Sequence, residues 1–366
     1  MRILAVNAGS SSVKLSVIGD GDVTEAAITL GPPGDAATDH DVTAFIDSCG
    51  PCDAAGHRIV HGGPDFHSAV VIDGPVRRRL EGLADLAPLH VPAALRIVDM
   101  VRVRIDVPQV ACFDTAFHRS LPDAATTYAI PPRWRSLGVR RYGFHGLSCA
   151  WSLRRAAGLL GRRAEDLRLV VAHLGSGASV TAIRSGHSMD TSMGFTPLEG
   201  LVMALRSGSV DPGALLWLQL NRGVPAQDMS DALEHSSGLY ALAGTGDMRE
   251  ILLRAHAGND AAALARDVYV HRLRATVAAV AASLDRVDAL VFTGGVGENA
   301  ADIRDRACRG LGVIGVQAPA RPASDSVDSV ISAEASPVAV LLVHAREDLE
   351  VVKEVRSLLH PPDLRS

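Results

Sequence analysis

Lysine is nearly absent from this sequence: Lys14 and Lys353 stand against thirty-four arginines. Neither lysine follows a glycine, so there is no GxxxxGK[ST] phosphate loop. Neither Gly244-Thr245-Gly246 nor Gly295-Val296-Gly297 completes a GxGxxG fingerprint, and no GxSxG nucleophile elbow occurs. Hydride transfer and serine hydrolysis lose support with them. No basic run exceeds a few residues and the net charge is −5, so nothing points to nucleic acid or a membrane surface as a partner. No apolar run approaches the ~18 residues of a spanning helix, and the first strand begins without a charged leader and cleavage site. A soluble cytoplasmic protein is expected. The five cysteines are odd in number and scattered, which argues against a disulfide framework. Cys49-Gly50-Pro51-Cys52 matches a redox dithiol motif, but such a motif works at a helix N-terminus that lowers the first thiol's pKa. Here it leads into a strand, and a loop coincidence is favoured.

What is present is a repeat. At 366 residues and 47% hydrophobic, the chain can bury large cores and is too long for one comfortable domain. Ile3-Leu4-Ala5-Val6 reaches Asn7, a small-residue turn follows at Gly9-Ser10-Ser11-Ser12, and a second alternating run goes from Val13 to Ile18. This spells a hairpin bent around glycine and serine, whose turn amides can hold phosphate oxygens. Val171 to Val180 has the same plan, with His173 aligning on Asn7 and Gly175 on Gly9. Two such units half a chain apart predict two duplicated α/β domains with a cleft between them.

Further candidates follow along the chain. Asp41 to Ser48 fits a short helix with an acidic start, and a strand runs from His57 to His61. Arg58 faces the opposite way to His57 and His61, which read as hydrogen-bonded polar residues rather than a zinc site. A buried strand from Val107 to Phe113 delivers Asp114 to its carboxyl end, where open α/β sheets bind ligands; a helix N-cap is an equal reading on spacing alone. His145 sits between glycines before a helix, and Ser188 to Gly200 reads as a long loop. Val287 to Phe292 is a strand that Thr293 to Asn299 turns into another helix at Ala300. Turn amides for nucleotide phosphates, carboxylate and amide oxygens for Mg2+, and Arg and His for a transferred group together suit phosphoryl transfer.

The motifs carry a resemblance. AVNAGSSSVK (5–14), HRIVHGG (57–63), LAPLH (86–90), FDTAFH (113–118), YGFHG (142–146), AHLGSG (172–177), TSMGFTPLEG (191–200), RSGSVDP (206–212) and FTGGVGEN (292–299) resemble the acetate kinase family nearly end to end. The resemblance implies the actin, sugar kinase and Hsp70 fold, with two duplicated actin- or ribonuclease-H-like domains. The first would comprise 1–117 plus 350–366, and the second 118–349, nucleotide-binding and dimerising. It implies reversible transfer of the ATP γ-phosphoryl group to acetate, giving acetyl phosphate and ADP, with Mg2+ (or Mn2+) held by Asn7 and Glu347. Asp114, His145 and Arg206 would be catalytic. Arg58, Val60, Leu89, His90, Phe144 and Pro197 would take acetate. Lys14, the turn His173, Leu174, Gly175, Ser176 and Gly177, then Asp247, Met248 and Arg249, and Gly295, Val296, Gly297, Glu298 and Asn299 would take ATP. A homodimer is implied. Propionate or butyrate kinase activity is the alternative within the family; an ATP-driven binding protein of the Hsp70 or actin kind is the alternative outside it, disfavoured because the sequence ends one helix beyond Glu347.

The sequence departs from the family pattern in several places. Ser176 replaces the Asn of HLGNG, Leu147 and Cys149 replace the Thr and His of GFHGTSH, and Val91 stands for an Asn. His344-Ala345-Arg346 replaces Pro-Thr-Asn before Glu347, and the segment before HRIVHGG is short.

Overall fold

The computed structural model describes residues 1–9, 12–88, 90–320 and 327–360, and the chain forms two compact units. The first comprises Met1–Arg119, Phe144–Trp151 and Arg346–Ser366; the second comprises Ser120–Gly143 and Ser152–Ala345. The boundaries expected at 117/118 and 349/350 differ from these by a few residues. Phe144–Trp151 joins the first unit, where the Gly146 amide donates to the Asp114 carbonyl at 2.9 Å. Glu347 also belongs to the first unit.

In the first unit, strands β1 (Ile3–Ala8), β2 (Val13–Ile18), β3 (Thr24–Leu30), β4 (Ala54–Ile59), β5 (Val70–Val71) and β6 (Gln109–Phe113) form one sheet in the order β3-β2-β1-β4-β6-β5. β1 pairs antiparallel with β2 and parallel with β4, which pairs parallel with β6. The central strands are covered on both faces, which is why they read as continuous apolar runs. Helix Val91–Arg104 packs over β1 and β4 on the face that carries Leu4, Val6 and Ala55. Helix Glu347–Leu359 packs against β1, β4 and β6. Gly56 makes that fit close: a Cβ there would lie 2.5 Å from the Val351 side chain.

The second unit repeats the plan. Strands β7 (Arg168–Leu174), β8 (Ala178–Arg184), β9 (His187–Thr191), β10 (Ala289–Thr293), β11 (Ser329–Val330) and β12 (Ala339–Leu342) order as β11-β12-β10-β7-β8-β9. Read from β9 inward, this is the order of the first sheet, with the same antiparallel hairpin, the same two parallel additions and the same short antiparallel edge strand. The duplicated α/β architecture is therefore present in the strand order. Helix Asp260–Ala281 lies against β7 and β8, burying Ala262, Ala265, Tyr269, Leu273 and Val277 at helical spacing; Asn259 caps it by accepting from the Ala262 amide.

Three local expectations change. The first helix runs Ala36–Ser48, because Asp35 caps it at the Ala37 amide. The stretch expected as a loop from Ser188 begins as β9, which pairs with β8 along the sheet edge, with Thr191 bonding Thr181 across it. The glycine-rich segment after β10 is itself helical, Gly294–Asn299, followed by a second helix Ala301–Arg309. Gly294 starts it at φ +78, and a Cβ there would lie 2.9 Å from the Leu174 backbone.

Candidate functional site

The site residues expected from sequence fall into two sets, one in each unit. In the first unit a row crosses three strands: Lys14 on β2 is opposite Asn7 on β1, and Asn7 is opposite Arg58 on β4. Register partners point to one face of a sheet, so amine, amide and guanidinium are presented together. The helix Glu347–Leu359 begins on this face, and the Asn7 Nδ2 donates to Glu347 Oε2 at 2.7 Å. The Asn7 Oδ1 accepts from Arg58 Nη1 at 3.4 Å. Lys14 is exposed.

Arg58 also donates from Nε to Asp114 Oδ2 at 2.9 Å, and its Nη2 meets the same oxygen. Asp114 follows β6, and its amide donates to the Ile59 carbonyl, extending the β4–β6 pairing by one step. Its side chain is fully buried, and Oδ1 has no hydrogen-bond partner. Burial pushes the carboxyl up to about 6 against the pull of Arg58, and the charge of Glu347 adds to the rise. The N-cap reading of Asp114 is not realised, since its carboxylate is spent on Arg58 while its carbonyl accepts from Gly146.

Gly146 has to be glycine: a Cβ would sit 2.2 Å from the Asp114 carbonyl oxygen. This close approach brings the N-terminus of helix Gly146–Leu160 to Asp114 and leaves His145 just ahead of it in the left-handed region, φ 58. A non-glycine residue held there is a strained position of the kind that clusters at functional sites. Phe144 is buried, its ring meets His61 edge-on, and its carbonyl accepts from His118 Nε2 at 2.8 Å. Val60 and His90 are buried as well. Leu89 lies outside the described residues. His57 donates to Gln109 Oε1 at 2.6 Å, and burial pushes its imidazole down to about 4, so it is a neutral core residue.

In the second unit, the turn between β7 and β8 is closed by the Gly175 amide donating to the Gly177 carbonyl. His173 and Leu174 are buried, whereas Ser176 is exposed at the tip. Gly295 and Asn299 are exposed, Val296 is half-buried and Gly297 is buried. Asp247 caps helix Met248–His256 through the Arg249 amide and pairs with the exposed Arg249 side chain, while Met248 lies in the core. Arg206 donates to the Pro197 carbonyl at 3.1 Å and pairs with Glu234 at 3.6 Å.

Some contacts of this set, and Arg304 and Arg155 among its residues, were not foreseen. Glu298 Oε1 accepts from both the Gly294 and Ala345 amides, tying the glycine helix to the segment before Glu347. The buried Arg304 donates to the Gly297 and Glu298 carbonyls, closing the C-terminus of that helix. An arginine on the same helical face as Ile303, Ala307 and Cys308 was the available signal. His344 and Arg155 both hold Asp328, at 2.8 and 2.7 Å, so the departure at position 344 is accommodated by a polar network.

Comparison with known proteins identifies the family. A model of the Acetokinase family matches residues 37–353. The acetate kinase of Leifsonia xyli subsp. xyli is 43% identical, covering 96% of this chain and 97% of its own. That of Synechococcus sp. strain JA-2-3B'a(2-13) is 47% identical over 83% of this chain and 76% of its own. Among solved structures, Porphyromonas gingivalis acetate kinase superposes with a TM-score of 0.85 at 33% identity, covering 98% and 99% of the two chains. A propionate kinase from Francisella tularensis subsp. tularensis SCHU S4 gives 0.88 at 32% identity, covering 96% and 98%. With the duplicated sheets and the matched motifs, these establish that the chain belongs to the acetokinase family.

Proposed function

We propose that this enzyme is an acetate kinase, transferring the γ-phosphoryl group of ATP reversibly and in line to acetate. The observation that carries this is the buried Asp114, paired with Arg58 beside Asn7 and Glu347 and carrying one carboxylate oxygen without a partner. Such a group suits a reaction in which charge is built up and released out of water. Arg58 neutralises the acceptor carboxylate, and Val60 and Phe144 form apolar walls for its methyl group. His145, at the helix N-terminus, donates to the oxygens of the transferred group. In the second unit, Arg206 meets phosphoryl charge, and the amides of the 175–177 turn and the glycine helix take the nucleotide.

Asn7 and Glu347 fit a magnesium site: one amide oxygen and one carboxylate, already adjacent, are hard donors, and Mg2+ commonly uses few protein ligands beside water and phosphate. Among the described residues no group of three or more His, Cys, Asp or Glu could hold a metal, so the remaining ligands would come from nucleotide and water. When bound, the ion offsets phosphate charge. The chain's part is to turn the Asn7 amide oxygen from Arg58 toward it.

A homodimer is supported by the helices Pro212–Arg222 and Ala226–His235, none of whose residues is fully buried within the chain. A cytoplasmic setting is supported by five free cysteines, and no helix among the described residues is long and apolar enough to cross a membrane.

Propionate kinase is the second reading, because the Francisella neighbour is as similar in fold and one methylene in an apolar pocket is worth only about 1 to 3 kcal/mol. The test traps acyl phosphate as hydroxamate with ATP, Mg2+ and formate, acetate, propionate or butyrate. Acetate should give the highest kcat/KM and propionate the next. A preference for butyrate would overturn the pocket assignment.

A further inference from the structure

The Cys49-Gly50-Pro51-Cys52 segment takes no part in phosphoryl transfer, yet it is built tightly. Cys49 terminates helix Ala36–Ser48, its amide donating to the Phe45 carbonyl, and only Asp53 separates Cys52 from β4. Both sulfurs face the Gly50 carbonyl, at 3.6 and 3.9 Å. Gly50 allows this by adopting φ +73. Arg2, at the start of β1, clamps the loop: its guanidinium donates to the Cys49 and Pro51 carbonyls and approaches the Cys52 sulfur. Each cysteine is only 8% exposed, but Gly50 and Pro51 between them are open to solvent. The other three, Cys112, Cys149 and Cys308, are fully buried.

We propose that Cys49 and Cys52 are a redox pair that closes to a disulfide by exchange with an external disulfide, stapling the end of helix Ala36–Ser48 to the start of β4. In the exchange one cysteine sulfur attacks the external disulfide and expels a thiol. The second cysteine then attacks the mixed disulfide and expels the other thiol. Two protons and two electrons leave the protein, and one external disulfide becomes two thiols.

The surroundings distinguish this staple from a catalytic dithiol. Burial, and then the neighbouring Cys49 sulfur, push the Cys52 thiol up to about 11 against the opposing charge of Arg2. The Cys52 thiolate is scarce at neutral pH, so the step that Cys52 takes in the closure is slow and follows sustained oxidation rather than rapid turnover. Arg58 lies six positions beyond Cys52, ~20 Å along a strand, so closure acts on stability and leaves the acceptor residues in place.

The full-length protein is equilibrated in buffers of reduced and oxidised glutathione, acid-quenched and denatured, and its thiols are counted. The wild type should fall from five thiols to three as the buffer becomes oxidising, with a mass loss of two hydrogens mapping to the peptide containing Cys49 and Cys52. Its melting temperature should rise by a few degrees on oxidation. Cys49→Ser and Cys52→Ser should show neither change, with circular dichroism confirming that each variant folds. Five thiols at every ratio, a crosslink mapping elsewhere, or an oxidised protein with an unchanged melting temperature would each overturn the proposal.

Discussion

Arg58 and Arg206 carry the same charge in different surroundings, and the surroundings set what each removal costs. The Arg58 side chain is 12% exposed and faces a carboxylate with no exposure at all, so Arg58→Ala leaves Asp114 buried without its counter-ion. Breaking such a pair costs about 3 to 5 kcal/mol. The Asp114 pKa, already raised to about 6, climbs further in the variant, so the loss is largest where the carboxyl must ionise, above pH 6, and shrinks as pH falls below it. Arg206 pairs with a partly solvated Glu234 at 3.6 Å, and its loss should cost about 1 kcal/mol or less. Both alanine variants should lose turnover by orders of magnitude. Urea unfolding at pH 8 should separate them, with Arg58→Ala clearly the less stable; equal stabilities would show that Asp114 finds another partner. Ser176 supplies a second prediction at this scale. Its exposed hydroxyl tips the 175–177 turn where the family pattern has an asparagine amide, and a hydrogen bond to a charged group is worth about 1.5 to 3 kcal/mol before water competes. Ser176→Asn should lower the KM for ATP several-fold and leave that for acetate unchanged; a changed acetate KM would mean the turn does not serve the nucleotide.

Among the elements, helix Glu347–Leu359 does two jobs whose demands conflict. Its first turn must present Glu347 to Asn7, while its body must pack on the sheet through Val351 and Val355 over Gly56. Glu354 is carried into that packing, with Oε2 buried and unpartnered. Burial pushes its carboxyl up to about 7, with the charge of Glu350 adding to the rise. A raised folded-state pKa means that the protein loses stability as pH rises from the ordinary carboxyl range through 7. Glu354→Gln should therefore be more stable than wild type by about 1 to 3 kcal/mol at pH 8, with the gain vanishing near pH 4. Parallel urea titrations at the two pH values check this, and a gain independent of pH would mean that packing, not charge, is at work. Nothing in the sequence of this helix marks Glu354 as the buried acid and Glu347 as the presented one, because both stand among the same alternation of acids and valines. The hairpins, by contrast, were legible because alternation, a small-residue turn and a second copy agree. β9 and the helix Gly294–Asn299 were not: β9 is specified by its edge pairing to β8, and the glycine helix by its contacts with Leu174, Glu298 and Arg304. Asp114 lay between, since strand-end position suggested chemistry but only the close approach of Gly146 and the reach of Arg58 separate it from a helix cap.

For the molecule as a whole, the second unit carries a helix that has no buried residue. Pro212–Arg222 has its N-cap Asp211 and its left-handed Gly223 at the far end, so it is well terminated, yet none of its residues is buried. Leu220 is 80% exposed, Leu216 55% and Trp217 48%, within one turn and a residue of each other on the helix. An isolated helix of this length is marginal in water and gains its stability from burying an apolar face. A patch of leucines with a tryptophan is larger than scattered surface apolar residues account for, and it has the composition of an interface core. A second copy of the chain would cover it, and a specific interface of the usual kind buries about 1,600 Å² in total. Sedimentation velocity on the wild type should therefore give twice the 38.4 kDa chain mass. Leu220→Glu combined with Trp217→Glu places two carboxylates where an apolar partner face must dock, and should shift the species to monomer with the sheet signal in circular dichroism retained. A wild type that sediments as a monomer at micromolar concentration would remove the dimer, and would leave this exposed helix to be covered by some other partner.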